Sequence, residues 1–136
     1  MSFKADVFDL IVTNDVIEHI PDVNSALAEC ARVLKPGGVM ISTFPFSFGA
    51  EYGIVKAILD DGAIRYITEP EYHGNPMRPA EGSLVFEIPG WDIIKRAIKA
   101  GFSDAGFALH CSAASGILGK DLPGVFVFFA KKNDIA

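Results

Sequence analysis

A chain of 136 residues with 12 Lys and Arg against 17 Asp and Glu can build one domain with a real core. Its net charge of −5 argues against nucleic acid, whose phosphates are held mainly by Lys and Arg. Hydrophobic residues make up 50% and Phe alone contributes 11, yet no apolar run approaches the ~20 residues that span a bilayer. The opening residues lack the charged-then-apolar pattern of a signal peptide, so a cytoplasmic globular domain is expected. Either its core is rich or part of its apolar surface waits for a partner.

In chain order, Phe8 to Thr13 (FDLIVT) is a short apolar run with β-branched residues, the pattern of a buried strand. A polar cluster follows: Asn14-Asp15, then Glu18-His19. Pro21 to Asn24 breaks the chain and can start a helix, with Asp22 or Asn24 as N-cap. From Ser25 to Leu34 the residues Ala26, Leu27, Cys30, Ala31, Val33 and Leu34 recur at helical spacing. Pro36-Gly37-Gly38 is expected to stop that helix as a turn, and Val39 to Phe44 to form a second strand. Strand, helix and strand in this order make a βαβ unit with parallel strands.

Further along, Tyr52 to Leu59 and Ala63 to Thr68 flank Asp60-Asp61-Gly62, a strong hairpin signal. Glu69 to Ile88 carries three prolines and two glycines and is expected to be largely irregular. Trp91 to Ala100 returns to helical spacing and ends at Gly101, a good C-cap. Gly106 to Cys111 and Gly124 to Ala130 read as two more strands, and the tail after Lys131 as frayed. Cys30 and Cys111 lie far apart and are expected as reduced thiols. His19, His73 and His110 show no ligand spacing with each other or with the cysteines, so no metal site is expected.

The string FDLIVTNDVIEHIPDVNSALAECARVLKPGGVMISTFPF, Phe8 to Phe46, resembles the middle of a class I S-adenosylmethionine-dependent methyltransferase of the type 11 kind. FDL, a polar pair, EH and R-x-LKPGG occur in the family's order and at its spacing. Glu69 to Pro76, Gly82 to Ile94 and Gly124 to Lys132 are similar to one bacterial subgroup of these enzymes. The resemblance implies an α/β, Rossmann-like partial sheet with family strands in the order 4-5-7-6, plus a β-hairpin insertion at about 46–89. The chain then reads as a single truncated domain over residues 1–136. It implies S-adenosylmethionine as cofactor and a small-molecule methyl acceptor.

One departure from the family matters. Members carry a glycine-rich D-x-G-x-G turn that lets the backbone approach the cofactor, and an acidic residue that holds the ribose. Neither is found before Phe8, so cofactor binding and activity by this chain alone are expected to be weak or lost. Without the strand that would pair with it, Phe8–Thr13 becomes an apolar edge suited to another chain. A two-fold dimer through this strand, or a complementation module that does no chemistry, is the alternative expectation.

Asn14, Asp15 and Val16 sit at the carboxyl end of the first strand, where open α/β sheets bind ligands, and the resemblance places them near the cofactor's methionine portion. Asp15 could equally be a simple turn cap. Glu18-His19 could act as an acid/base pair at the pocket mouth, or His19 could hold the loop through a backbone carbonyl. Tyr72, His73 and Asn75 would face the acceptor in the resembling subgroup, against the alternative of packing and turn roles. Trp91 is expected to anchor the core rather than stack on a ligand.

Overall fold

The computed structural model describes residues 2–77, 79–118 and 124–134. Strand β1 (Phe8–Asn14) leads through a single 3₁₀ turn at Ile17–His19 into helix α1 (Val23–Val33). Of the two candidate caps, Asp22 is the one used: its carboxylate accepts from the Ser25 N–H at 3.0 Å and from the Ser25 hydroxyl at 2.6 Å. Asn24 lies inside the helix and accepts from Arg96 instead. Val23, Leu27, Cys30 and Ala31 form the buried stripe.

The structure corrects the reading of LKPGG. The helix ends at Val33, and Leu34 is already extended (φ −70°, ψ 140°) as the first residue of strand β2 (Leu34–Thr43). Phe8 of β1 pairs with Leu34 and Leu10 with Val39, so the intervening Lys35-Pro36-Gly37-Gly38 bulges out of register within the strand. Gly37 takes φ +74° there, which glycine adopts without steric cost, and its N–H donates to the Asn133 carbonyl at 3.1 Å. The stretch is a strand entry held by its neighbours rather than a free turn.

The middle of the chain is built from three small ladders. Strand β3 is Ile54–Val55, and β4 (Ala57–Asp60) and β5 (Ala63–Tyr66) form a hairpin. Asp61 and Gly62 close it with positive φ at both positions (47° and 81°), as a type I′ turn requires. The expected longer strands, Tyr52 to Leu59 and Ala63 to Thr68, are therefore split and shortened. The segment expected to be irregular contains β6 (Tyr72–His73) paired with β7 (Ser83–Leu84), and β8 (Glu87–Ile88) paired with β3. Ladders of two residues carry no periodicity that a sequence pattern could reveal.

Helix α2 (Asp92–Ala100) ends as expected at Gly101, whose φ of 113° places it in the left-handed region and whose N–H satisfies the Ala97 and Ile98 carbonyls. Strand β9 (Phe102–His110) begins four residues earlier than its apolar pattern suggests, and β10 (Val125–Lys132) follows. The main sheet runs β1-β2-β10-β9, with β1 parallel to β2 and the last two strands antiparallel. Leu27 and Ala31 of α1 and Ile93 and Ala97 of α2 pack with Met40, Phe128 and Ala130 of the sheet to form the core. Leu10 and Val12 of β1 remain more than half exposed, at 52% and 57%. Among the described residues, β2 is the only strand hydrogen-bonded to β1, and no helix is long and apolar enough to cross a membrane.

Candidate functional site

The site begins where the parallel strands end. The Thr43 hydroxyl donates to the Asn14 side-chain oxygen at 3.0 Å, and the Asp15 N–H donates to the Thr43 carbonyl at 2.9 Å. These bonds hold the two carboxyl-terminal strand ends together. Asp15 then takes a left-handed conformation (φ 51°), one that Asp tolerates better than most residues, and this turns the chain sharply into the 3₁₀ turn. Ile17 is buried in the core and anchors that turn, so Glu18 and His19 are carried to fixed positions.

The insertion docks onto the same turn. The Phe86 N–H donates to the Glu18 carbonyl at 2.7 Å, and the His19 ring Nδ1 lies 2.8 Å from the Leu84 carbonyl. A carbonyl can only accept, so His19 Nδ1 carries the proton and, in the neutral ring, Nε2 keeps its lone pair. The sequence alternatives for His19 are thus both visible: one nitrogen holds the loop and the other is left for chemistry. His73, on β6, comes down beside it, the two rings meeting edge to face with centroids 5.1 Å apart.

Between the two imidazoles stands Glu18, whose side chain is fully buried. Its Oε1 lies 3.5 Å from His73 Nδ1 and 3.7 Å from His19 Nε2. Neither carboxylate oxygen has a hydrogen-bond partner among the described residues. On the far side, His73 Nε2 lies 3.5 Å from Glu71, which pairs with Lys56 at 2.9 Å. The Lys56 ammonium beside Glu71 holds that carboxyl below the usual carboxylate range.

A cleft of about 500 Å³ opens in front of these groups, lined by Asp15, His19, Pro45, His73, Asn75 and Ser83. The Asn75 side chain donates to the Ser83 hydroxyl at 2.9 Å, and its oxygen accepts from the Met77 N–H at 2.9 Å, which fixes its orientation. A second, apolar cleft of about 440 Å³ shares Asp15 and is walled by Phe44, Phe46, Phe48 and Phe126. Behind it Phe46 stacks on Phe107 at 4.0 Å, with the Trp91 ring edge-on to both. Trp91 also donates its ring N–H to the Phe48 carbonyl at 2.8 Å, but it is 39% exposed and lies outside the buried core, so it packs on the aromatic wall rather than anchoring the core as expected.

The structure therefore brings Asp15, His19, His73 and Asn75 around one cleft with Glu18 behind them. It does not bring Tyr72 there: that side chain is half exposed, and its hydroxyl meets the Tyr66 hydroxyl at 3.3 Å. Asn14 and Val16 are exposed on the β1 side, where Val16 borders an apolar depression of about 370 Å³ with Leu10, Val12 and Ile20. Linear spacing offered no metal site to the histidines, yet folding places two of them on one carboxylate. Pro45, Ser83 and Glu71 were missed. For Glu71 no local signal existed, because it lies just outside a strand only two residues long.

Residues 1–42 match the family model described as Methyltransferase domain. An uncharacterized methyltransferase of Mycolicibacterium paratuberculosis is 30% identical over 112 residues, covering 79% of this chain and 43% of that protein. The ubiquinone biosynthesis O-methyltransferase of Bradyrhizobium sp. is 50% identical over 34 residues, 25% of this chain and 13% of that protein. Among solved structures, an S-adenosylmethionine dependent methyltransferase from Mesorhizobium loti superposes with a TM-score of 0.61 at 16% identity, covering 97% of this chain and 65% of that one. The chain spans less than half the length of these two curated relatives.

Proposed function

We propose, on the premise that sequence and fold support a class I methyltransferase with S-adenosylmethionine as its cofactor by resemblance, that this chain carries the acceptor side of the methyl-transfer site. One observation carries the reading. Two segments far apart in sequence, the turn after β1 and the insertion, meet at a cleft beside the carboxyl ends of the parallel strands, where open α/β sheets bind their ligands.

The cofactor, when bound, supplies an electrophilic methyl group on a sulfonium. The protein's part is to align an acceptor atom, exclude water and accept a proton where the acceptor carries one. The 500 Å³ cleft suits a small-molecule acceptor, with the fixed Asn75 amide, His73 and the free Nε2 of His19 as orienting groups. Glu18 and His19 are the acid/base candidates, Glu18 acting through the imidazoles since it is sealed from solvent. The residues fit only part of the cofactor. Asn14, Asp15 and Val16 would hold its amino-acid end through a carboxamide, a carboxylate and an apolar side chain. These 136 residues contain no G-x-G turn to receive the adenosine, so this chain alone should bind the cofactor poorly. The two free thiols, Cys30 and Cys111, fit a reducing compartment such as the cytoplasm.

A second reading, a pairing module that does no chemistry, is favoured by the uncovered β1. Its apolar side chains Leu10 and Val12 and its outer hydrogen-bonding edge offer themselves to a second copy.

Amide-resolved NMR titration with S-adenosylhomocysteine separates these ideas. The expected result is weak binding, with a dissociation constant of about 1 mM, and shifts centred on Asn14, Asp15 and Val16. Micromolar affinity would show that the chain needs no further contacts. Shifts confined to another face would remove the proposed cofactor position.

A further inference from the structure

We infer that Glu18, His19 and His73 form a binding site for one divalent first-row transition-metal ion, zinc being the best match. The inference goes beyond the methyl-transfer reading and does not depend on it.

The first ground is the orphaned carboxylate. Glu18 is fully buried, and neither oxygen finds a hydrogen bond among the described residues. A buried carboxylate left bare in this way is strongly disfavoured unless something positive faces it. Two imidazole nitrogens face it at 3.5 and 3.7 Å, too far for good hydrogen bonds. A proton on either ring would answer the charge without bridging the gap. A shared cation does both.

The second ground is spacing. One donor atom from each of the three residues lies within 4.8 Å of the others. With metal–nitrogen and metal–oxygen bonds of about 2.0–2.1 Å, tetrahedral ligand atoms sit about 3.3 Å apart, so the two carboxylate–imidazole separations of 3.5 and 3.7 Å need contract by only a few tenths of an ångström, and the imidazole–imidazole one by at most about 1.5 Å, which a ring rotation supplies.

The third ground is the outer contacts. Metal-ligating histidines almost always engage a carbonyl or carboxylate through the other ring nitrogen. His19 does so with the Leu84 carbonyl at 2.8 Å. His73 has Glu71 on its other side, itself held by Lys56. Glu18 stands between two rings whose free nitrogens face it and whose remaining nitrogens face acceptors.

Two imidazoles and one carboxylate select against magnesium and calcium, which prefer oxygen cages, and suit zinc, cobalt, nickel or iron(II). Three protein ligands leave a fourth position, and His19 and His73 both line the cleft. The site is therefore of the open kind, able to hold a water or a ligand oxygen. An ion here would occupy both imidazole lone pairs. It would replace the histidines as the group that draws a proton from an acceptor hydroxyl, the proton leaving to solvent and the oxygen taking the open position.

The test uses the intact chain, stripped with chelator, titrated with zinc chloride by calorimetry and with cobalt(II) by visible absorption, without cofactor or acceptor. One ion per chain and the intense visible bands of low-coordinate cobalt are expected. Glu18→Gln and His73→Gln should each weaken zinc binding by about tenfold or more, while Cys111→Ser leaves it unchanged. Circular dichroism checks each variant. Because Glu18 is buried, His73→Gln carries the comparison if the Glu18 variant fails to fold. Absence of saturable one-to-one binding would overturn the inference, as would parental affinity in folded His73→Gln or loss of the signal in Cys111→Ser.

Discussion

Asp22 shows how much one side chain fixes. Its carboxylate accepts both the backbone N–H and the hydroxyl of Ser25, closing the first turn of α1. Those bonds pull its pKa below the ordinary 3.8, the Ser25 side-chain bond being the largest cause. A folded-state pKa below the unfolded one means that the cap stabilises above the unfolded value and is lost as pH falls through the folded one. Asp22→Ala is therefore expected to cost about 1 kcal/mol in chemical denaturation near neutral pH, with the gap to the parent closing as the pH falls from the ordinary carboxylate range through the lowered folded-state value. A constant gap across that range would show that something other than the ionised cap is lost.

At the scale of elements, β1 leaves part of its apolar face uncovered. Leu10 and Val12 lie two residues apart and so share a face of the sheet, and Val12 pairs with Ile41, which is also exposed at 37%. If a second copy covers this stripe, Leu10→Lys with Val12→Lys should convert a dimer to a monomer in light scattering at micromolar concentration, leaving the circular dichroism spectrum unchanged. A parental chain that is already monodisperse and monomeric removes the pairing proposal.

How far the sequence foretold these elements depended on local signals. Leu27, Cys30 and Ala31 repeat at helical spacing, and Asp61-Gly62 demands positive φ, so α1 and the β4–β5 hairpin could be read directly. LKPGG could not: its local chemistry says turn, but pairing of Phe8 with Leu34 draws it into a strand. The two-residue ladders of the insertion exist because of what they dock against. The His19–Leu84 bond joins residues 65 apart, and no local pattern announces it. Asp15, Glu18, His19, His73 and Asn75 were nameable from their chemistry, whereas Pro45, Ser83 and Glu71 were not. That a buried Glu18 would lie between His19 and His73 was not legible either, because burial of a carboxylate beside Ile17 is decided by the insertion that covers it.

For the molecule as a whole, the sheet and its two helices share one core, whereas the insertion's short strands pair, among the described residues, only with each other, and it is joined to the rest through bonds to Glu18, His19 and Arg96. Leu59, Ile64 and Tyr66 of the outer hairpin are about half exposed, at 52%, 47% and 47%. Native-state hydrogen exchange should therefore be slowest in β2 and β10, which lie inside the sheet, and fastest in β4 and β5. Uniform protection across both would show that insertion and sheet open as one unit.

The chain has one Trp, and it sits where these layers join. Its indole is edge-on to Phe46 and Phe107, hydrogen-bonded to Phe48, and placed at the start of α2. Phe46 and Phe48 also wall the apolar cleft that shares Asp15. The protein thus carries a built-in optical gauge. A guest molecule entering that cleft must disturb the aromatic wall against which the fluorophore rests, so occupancy of the pocket mouth can be followed from the emission of the unlabelled protein.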